Sequence, residues 1–166
     1  MNSLSLTRRF LLLFSVVLLG ACASGVKLDD VDGVNSSSGV NGSGTDYSSQ
    51  PWNDPKSPLF KRSIYFDFDS YAVKPEYQAI IQVHANYLKA NKDRKIRLEG
   101  NTDERGTTEY NLALGQRRSE AVRKSLSLLG VADSQMEAIS FGKEKPKAEG
   151  GSEAAWQENR RADIAY

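Results

Sequence analysis

The composition of the chain changes near residue 58, and that break decides how much of it can fold. From Ala23 to Pro58 the sequence is rich in Ser, Gly, Asn and Asp, with isolated valines and no sustained hydrophobic period. Such a stretch cannot bury enough apolar surface to offset its conformational entropy. It reads as a flexible tether whose reach is roughly 33 Å as a coil and at most about 120 Å fully extended. Pro51, Pro55 and Pro58 stiffen its last part, and Trp52 is available to dock on the folded part of the chain. Folding is thereby confined to residues 59–166 of a 166-residue chain, the size of one ordinary domain.

The first residues have the character of a processing signal. Arg8 and Arg9 precede an apolar run, Phe10 to Leu19, that is short for a bilayer span. The run ends in Leu19-Gly20-Ala21-Cys22, two small residues followed at once by the only cysteine of the chain. This resembles the lipobox of bacterial lipoproteins, in which the cysteine is diacylated and becomes the new N-terminus. The alternative is a plain secretory signal with an incidental Cys. A single cysteine cannot form a disulfide within the chain, so a thiol in an exported protein calls for another role. The resemblance implies a signal peptide over residues 1–21, lipidation at Cys22, and a lipid-anchored tether over 22–58. More than one acyl chain gives stable membrane anchoring. Ala23 is not the Asp that commonly retains such lipoproteins in the inner membrane, so the outer membrane is the expected address.

Removing residues 1–21 takes away Arg8 and Arg9 and no acid, leaving 20 basic and 21 acidic residues. A near-balanced charge gives no basic surplus for nucleic acid. Hydrophobic residues at 39% and charged residues at 26% are ordinary for a globular domain.

Within 59–166, strand and helix signals alternate. Arg62–Phe66 reads as a strand, with Ile64 and Phe66 on one face, and Asp67-Phe68-Asp69-Ser70 as a turn. Pro75 suits a first helical position, so a helix is expected to about Ala90, with Ile80, Ile81, His84, Tyr87 and Leu88 as its stripe. Lys95–Glu99 reads as the next strand. A long helix from Thr108 to about Leu129 follows, stopped by Gly130. Ser134 to Glu137 fits a capping box for a short helix. Ala138–Phe141 reads as a strand, Ser152 as the cap of a last helix, and Arg161–Tyr166 as a closing strand. The order βαβα(α)βαβ predicts an α/β two-layer sandwich, with helices on one face of a mixed sheet. No heptad or internal repeat points to an oligomer, and a monomer is expected.

The chemistry concentrates between Leu98 and Val122. A polar turn, Gly100 to Gly106, holds Asp103, and the helix after it carries Asn111, Leu114, Arg118 and Val122 at helical spacing. Asn111 and Arg118 thus share a face two turns apart. Arg offers a planar fork for a carboxylate, Asp103 an acceptor for an ammonium, and Asn111 both donor and acceptor. The set suits a zwitterionic amino-acid end. The residues alone support equally a structural Asp103–Arg118 ion pair that fastens the turn to the helix.

GNTDERGTTEYNLALGQRRSEAV at residues 100–122 resembles the motif of the OmpA C-terminal-like family, G-x-T-D-x-x-G-x-x-x-x-N-x-x-L-x-x-x-R-[AS]-x-x-V. With the lipobox, the tether, YFDFDSY and the ending NRRADIAY, it is most similar to that family's lipid-anchored, peptidoglycan-associated members. The resemblance implies a βαβαβ core over residues 59–166. It also implies non-covalent binding of the peptidoglycan peptide stem through meso-diaminopimelate, without turnover and without a cofactor. By motif, Asp103 would take the ligand ammonium, Arg118 its carboxylate, and Asn111 would support it. Leu114 would pack beneath, and Phe66, Asp67 and Phe68 would form a neighbouring wall. TolB and the Tol complex, acting in envelope integrity and cell division, are implied partners. Asn101 stands where many members have His, and Ser119 where many have Ala. AEGGS at 148–152 is Gly-rich, so ligand contacts from that loop are not implied. Of the terminal pair, one of Arg160 and Arg161 is expected to be structural and the other to belong to the site.

Two other function classes set the contrast. The pairs Asp67/Asp69 and Asp103/Glu104 raise a cell-wall hydrolase working through two carboxylates. The single His84, on the apolar side of another helix, offers no nucleophile–base pair and no metal set. The other class is a structural tether that binds only protein partners.

Overall fold

The computed structural model describes residues 50–166; the expected signal segment, Cys22 and the tether up to residue 49 lie outside them. The strands and α-helices are β1 (Ser63–Tyr65), α1 (Gln78–Ala90), β2 (Ile96–Asn101), α2 (Thr108–Leu128), β3 (Met136–Gly142), α3 (Glu153–Asn159) and β4 (Arg161–Ala165). The four strands form one sheet in the order β1-β4-β2-β3. β4 runs antiparallel to both β1 and β2, and β3 runs parallel to β2. A parallel pair needs a crossover, and α2 supplies it. The mixed α/β architecture expected from the sequence is the one observed.

Local chemistry sets the helix ends. Pro75 begins a 3-10 turn, Pro75–Tyr77, that leads into α1, where the missing N–H costs nothing. The Thr107 hydroxyl accepts from the Tyr110 amide at 3.2 Å and caps α2. Gly130, at φ +90°, turns the chain out of α2. The Ser152 hydroxyl accepts from the Ala155 amide and caps α3, as expected. The capping box expected at Ser134 does not form. Ser134 lies inside a 3-10 turn, Asp133–Gln135, preceded by Ala132 without a side-chain cap. Gln135 organises that region instead, its amide donating to the carbonyls of Leu88, Asn91 and Arg94.

One core joins the layers. Ile64, Phe66, Ile96, Leu98, Ala162 and Ile164 from the sheet side meet Ile81, Ala85 and Leu88 of α1 and Val122 and Leu126 of α2. Burial of this kind is the main favourable term in folding. Ala85 belongs to the stripe of α1, whereas Ile80 and Tyr87 are only half-buried. Leu112 of α2 is 50% exposed. The buried stripe of α2 is instead Asn111, Leu114, Gly115, Arg118, Ser119, Val122 and Leu126. Its N-terminal half is therefore largely polar and faces something other than the core.

Two glycines let α2 come that close to the sheet. A Cβ on Gly100 would lie 1.8 Å from the Gly115 carbonyl oxygen, and one on Gly115 would lie 2.3 Å from the Ser140 hydroxyl. Backbone touches backbone here, and no larger residue fits without moving the helix.

Trp52, ahead of the domain start expected at residue 59, is buried and stacks on Tyr166 with ring centroids 4.4 Å apart. The Tyr166 hydroxyl lies 2.7 Å from His84 Nδ1, and His84 Nε2 lies 2.9 Å from the Lys61 carbonyl oxygen. A carbonyl only accepts, so Nε2 carries the proton and Nδ1 accepts from the tyrosine. Burial, with a smaller contribution from Arg62, holds the His84 pKa below its ordinary 6.5, against the raising effect of the Lys61 carbonyl. The unfolded chain therefore takes up a proton at a pH where the folded chain does not. Stability is complete above pH 6.5 and falls as the pH drops below it, by at most about 1.4 kcal/mol per pH unit. With one histidine in the chain, denaturant unfolding between pH 7.5 and 5.5 is expected to show this loss, and His84→Gln to flatten it.

Candidate functional site

Where β2 ends, the chain turns through Thr102 to Gly106 before α2 begins. The polar half of α2 faces this turn and the 67–70 turn that follows β1. Between them lies a cavity of about 230 Å³, lined by Phe68, Asp69, Thr102, Asp103, Arg105, Gly106, Tyr110, Asn111, Leu114 and Arg118.

Arg118 is the centre of the arrangement and is fully buried. Its Nε donates to the Ser70 carbonyl at 2.8 Å, Nη1 to the Asn101 carbonyl at 2.8 Å and Nη2 to the Asp67 carbonyl at 3.2 Å. Its guanidinium also stands 5.2 Å from the centre of the Phe66 ring. Burial lowers its pKa to about 10, against the raising effect of the Asp103 charge, so it remains a cation at neutral pH. The Asp103–Arg118 ion pair that the sequence allowed does not form; the guanidinium reaches three backbone carbonyls of two segments instead, the 67–70 turn and the end of β2. Three of its five N–H donors are used in this way and two are left.

Asp103 is buried on the same wall. Arg105 Nη2 meets its Oδ2 at 2.6 Å, and Arg160 Nη1 meets the same oxygen at 3.4 Å. The Arg105 backbone N–H and Nε donate to Oδ1 at 3.2 and 3.3 Å. Burial pushes the Asp103 carboxyl up. The hydrogen bonds and charge of Arg105, with a contribution from Arg160, outweigh burial and hold it below the ordinary carboxylate range. The cavity thus holds a buried carboxylate and a buried guanidinium that do not neutralise each other directly.

The remaining expected residues divide. Asn111 is buried, lines the cavity and donates from Nδ2 to the Arg105 carbonyl at 2.8 Å, which fixes the Asp103 turn onto α2. Leu114 is buried on the lining, and Phe68, 63% exposed, forms part of the rim. Phe66 and Asp67 do not line the cavity. Phe66 is a core residue beneath Arg118, and the Asp67 side chain points to Lys74 at 3.5 Å while its carbonyl serves Arg118. Alternation alone would put Phe66 and Phe68, two residues apart, on the same side; the turn from Asp67 to Ser70 breaks the extended chain and sends Phe68 to the rim.

Sequence reasoning passed over several lining groups. Arg105 stands in the motif turn and was given no role. Asp69, at φ +55°, accepts from the Tyr110 hydroxyl and ties the 67–70 turn to α2. Of the terminal arginines, Arg160 is the one that reaches Asp103; it also donates to the Phe66 carbonyl and to Glu153. Arg161 pairs with Asp163 within β4. Asn101 is buried, its carbonyl accepting from Arg118 and its Nδ2 donating to the Glu99 carbonyl, while its Oδ1 has no partner among the described residues. Glu149 and Gly150 of the Gly-rich loop lie beside a separate depression with Glu104 and Lys143.

Removing Arg118 would take a donor from the carbonyls of Asp67, Ser70 and Asn101, with the Asp67 carbonyl keeping the Ser70 N–H. Arg118→Leu is expected to destabilise the domain by about 3–5 kcal/mol in denaturant unfolding, and Arg118→Lys to recover only part of this, because one ammonium cannot span three carbonyls.

Comparison with known proteins gives consistent relatives. Residues 65–160 match the model of the OmpA family. The chain is 51% identical over 104 residues to the peptidoglycan-associated lipoprotein of Pasteurella multocida, covering 63% of this chain and 69% of that one. It is 51% identical over 102 residues to the protein of the same name from Pseudomonas putida, spanning 61% of each. Among solved structures, the peptidoglycan-associated lipoprotein from Burkholderia pseudomallei is 67% identical, with a TM-score of 0.69, covering 70% of this chain and 99% of that one. The C-terminal domain of Helicobacter pylori MotB is 25% identical with a TM-score of 0.57, covering 61% of this chain and 81% of that one.

Proposed function

Because the chain belongs to the OmpA family and its relatives are peptidoglycan-associated lipoproteins, we propose that it anchors the outer membrane to peptidoglycan by non-covalent binding of the meso-diaminopimelate stem peptide. The observation that carries the reading is the placement of the Asp103 carboxylate and the Arg118 guanidinium in the lining of one cavity, unpaired with each other. An amino-acid end brings an ammonium and a carboxylate to match them. The ammonium goes to Asp103 and the carboxylate to the two N–H groups that Arg118 leaves unused. Asn111 holds the turn in place, and Leu114 and Phe68 cover the aliphatic part of the ligand.

The same site supports holding without cutting. The cavity lining contains no Cys, Ser or His. His84 is buried in the Tyr166 cluster. Of the paired carboxylates, Asp67 faces Lys74 and Asp69 is engaged by Tyr110. The lipid anchor at Cys22 and the tether to about residue 58 give such a site its use: one end sits in the membrane and the other searches the wall. Phe68, Tyr71, Tyr110 and Leu112 remain exposed. Phe68 and Tyr110 belong to the cavity lining, and Leu112 lies two residues beyond Tyr110 on α2. This apolar area suits a protein partner, which we assign to the Tol complex through TolB, in envelope integrity and cell division. The chain acts as a monomer in this reading.

Co-sedimentation of the full chain with purified sacculi tests it. Binding without release of soluble fragments is expected. Asp103→Asn should weaken binding about 10- to 100-fold, the range for a lost charge-assisted hydrogen bond, and is preferred to Arg118 variants, which also unfold the site. Fragment release would favour a hydrolase, and undiminished binding by Asp103→Asn would remove the site assignment. In cells, Cys22→Ser should move the protein from the membrane to the soluble fraction.

A further inference from the structure

Arg105 occupies the place where the ligand ammonium must go. Asp103 Oδ1 accepts from the Arg105 backbone N–H and Nε, and Oδ2 accepts from Arg105 Nη2 and Arg160 Nη1. A carboxylate offers about four lone-pair sites, and all are taken. One donor must leave before an ammonium can bind. The Arg105 amide is part of the turn. Arg160 is buried and anchored to the Phe66 carbonyl and Glu153. The Arg105 side chain is the exception: it is about one-third exposed at the cavity mouth. It has a built resting place there, with its guanidinium 4.2 Å from the centre of the Phe68 ring and 4.0 Å from that of Trp156. Trp156 is itself fixed by an indole N–H bond to Glu104 at 3.0 Å.

We propose that Arg105 is a specificity-determining residue, an internal cation that fills the ammonium subsite on Asp103 and yields only to a ligand that carries a carboxylate beside its amine. The inference rests on the zwitterion reading of the cavity. A simple amine that displaced Arg105 would replace a forked guanidinium with a single point charge on the same carboxylate, a net loss of hydrogen bonds. A zwitterion adds what the amine lacks. Its carboxylate meets the unused N–H groups of Arg118, while the displaced Arg105 swings clear of the subsite. The selection is made by competition, so simple amines and lysine side chains are refused by a group of the protein itself.

Calorimetric titration of the full chain in detergent, at low ionic strength, tests this with two probes. One is meso-diaminopimelate; the other is cadaverine, an amine of similar length without carboxylates. Wild type is expected to bind the first and not the second. Arg105→Ala is expected to bind meso-diaminopimelate about fivefold tighter, the scale of one partly exposed ion pair removed from competition, and to acquire cadaverine binding. Arg105→Gln, which keeps length but not charge, should behave likewise. Weaker binding of meso-diaminopimelate by both variants, at unchanged melting temperature, would overturn the proposal by making Arg105 a ligand contact. So would cadaverine binding that is the same in all three proteins. If none of them binds meso-diaminopimelate, the zwitterion reading fails by itself. Cadaverine then decides for Arg105: binding to the variants alone keeps Arg105 as the occupant of the subsite, and binding to none removes it.

Discussion

A buried guanidinium cannot be left without acceptors, and in this domain the acceptors are three backbone carbonyls from two places in the chain. Arg118 reaches out of α2 to Asp67, Ser70 and Asn101. Each bond fixes a segment that has little regular structure of its own: the turn after β1 and the end of β2. The cost of burying the charge is large and is offset only while all three partners are in place. The residue therefore acts as a geometric constraint as well as a charge. It sets the distance between the 67–70 turn and α2, and that distance is the width of the cavity.

The close contact of Gly100 with Gly115 works in the same direction. It brings α2 against β2 at the height where Arg118 can touch the Asn101 carbonyl. A wider separation would leave the guanidinium short of its partners. The polar stripe of α2 is thus the continuation of its apolar stripe, on the same face, past the point where the core ends. Val122 and Leu126 hold the helix on the sheet, and Asn111 and Arg118 hold the turns onto the helix. Binding residues on a rigid element supported in this way are held to narrow tolerances. A site that must retain a ligand without transforming it needs little else.

Much of this was legible in the sequence. The order of elements followed from apolar periodicity and from Pro75, Gly130 and Ser152, whose effects are local and reach only a few residues. Asp103, Asn111, Leu114 and Arg118 were legible as a group because helical spacing places the last three on one face. The Ser134 capping box failed because its pattern also suits a turn, and the Gln135 contacts to distant carbonyls decided between them. Phe66 and Phe68 were read together as a wall, whereas one lies in the core and the other at the rim. Arg105 was given no role, and Arg160 could not be told from Arg161, because the tie of Arg160 to Asp103 exists only when the turn and the end of the last helix are brought together.

The sequence by itself led to the expectation of an apolar leader, a polar tether and a folding domain, since that reading depends on composition. It also determined which residue types lie in the motif. Tertiary structure alone decided what those residues are bonded to. An arginine and an aspartate at this spacing are free to pair with each other, and nothing in a linear pattern forbids it. The fold sends them apart, Arg118 to carbonyls and Asp103 to two other arginines, because burial leaves no water to satisfy either group and each takes the partner that its fixed backbone brings within reach. The two charges at the centre of the motif are thereby kept separate on one wall.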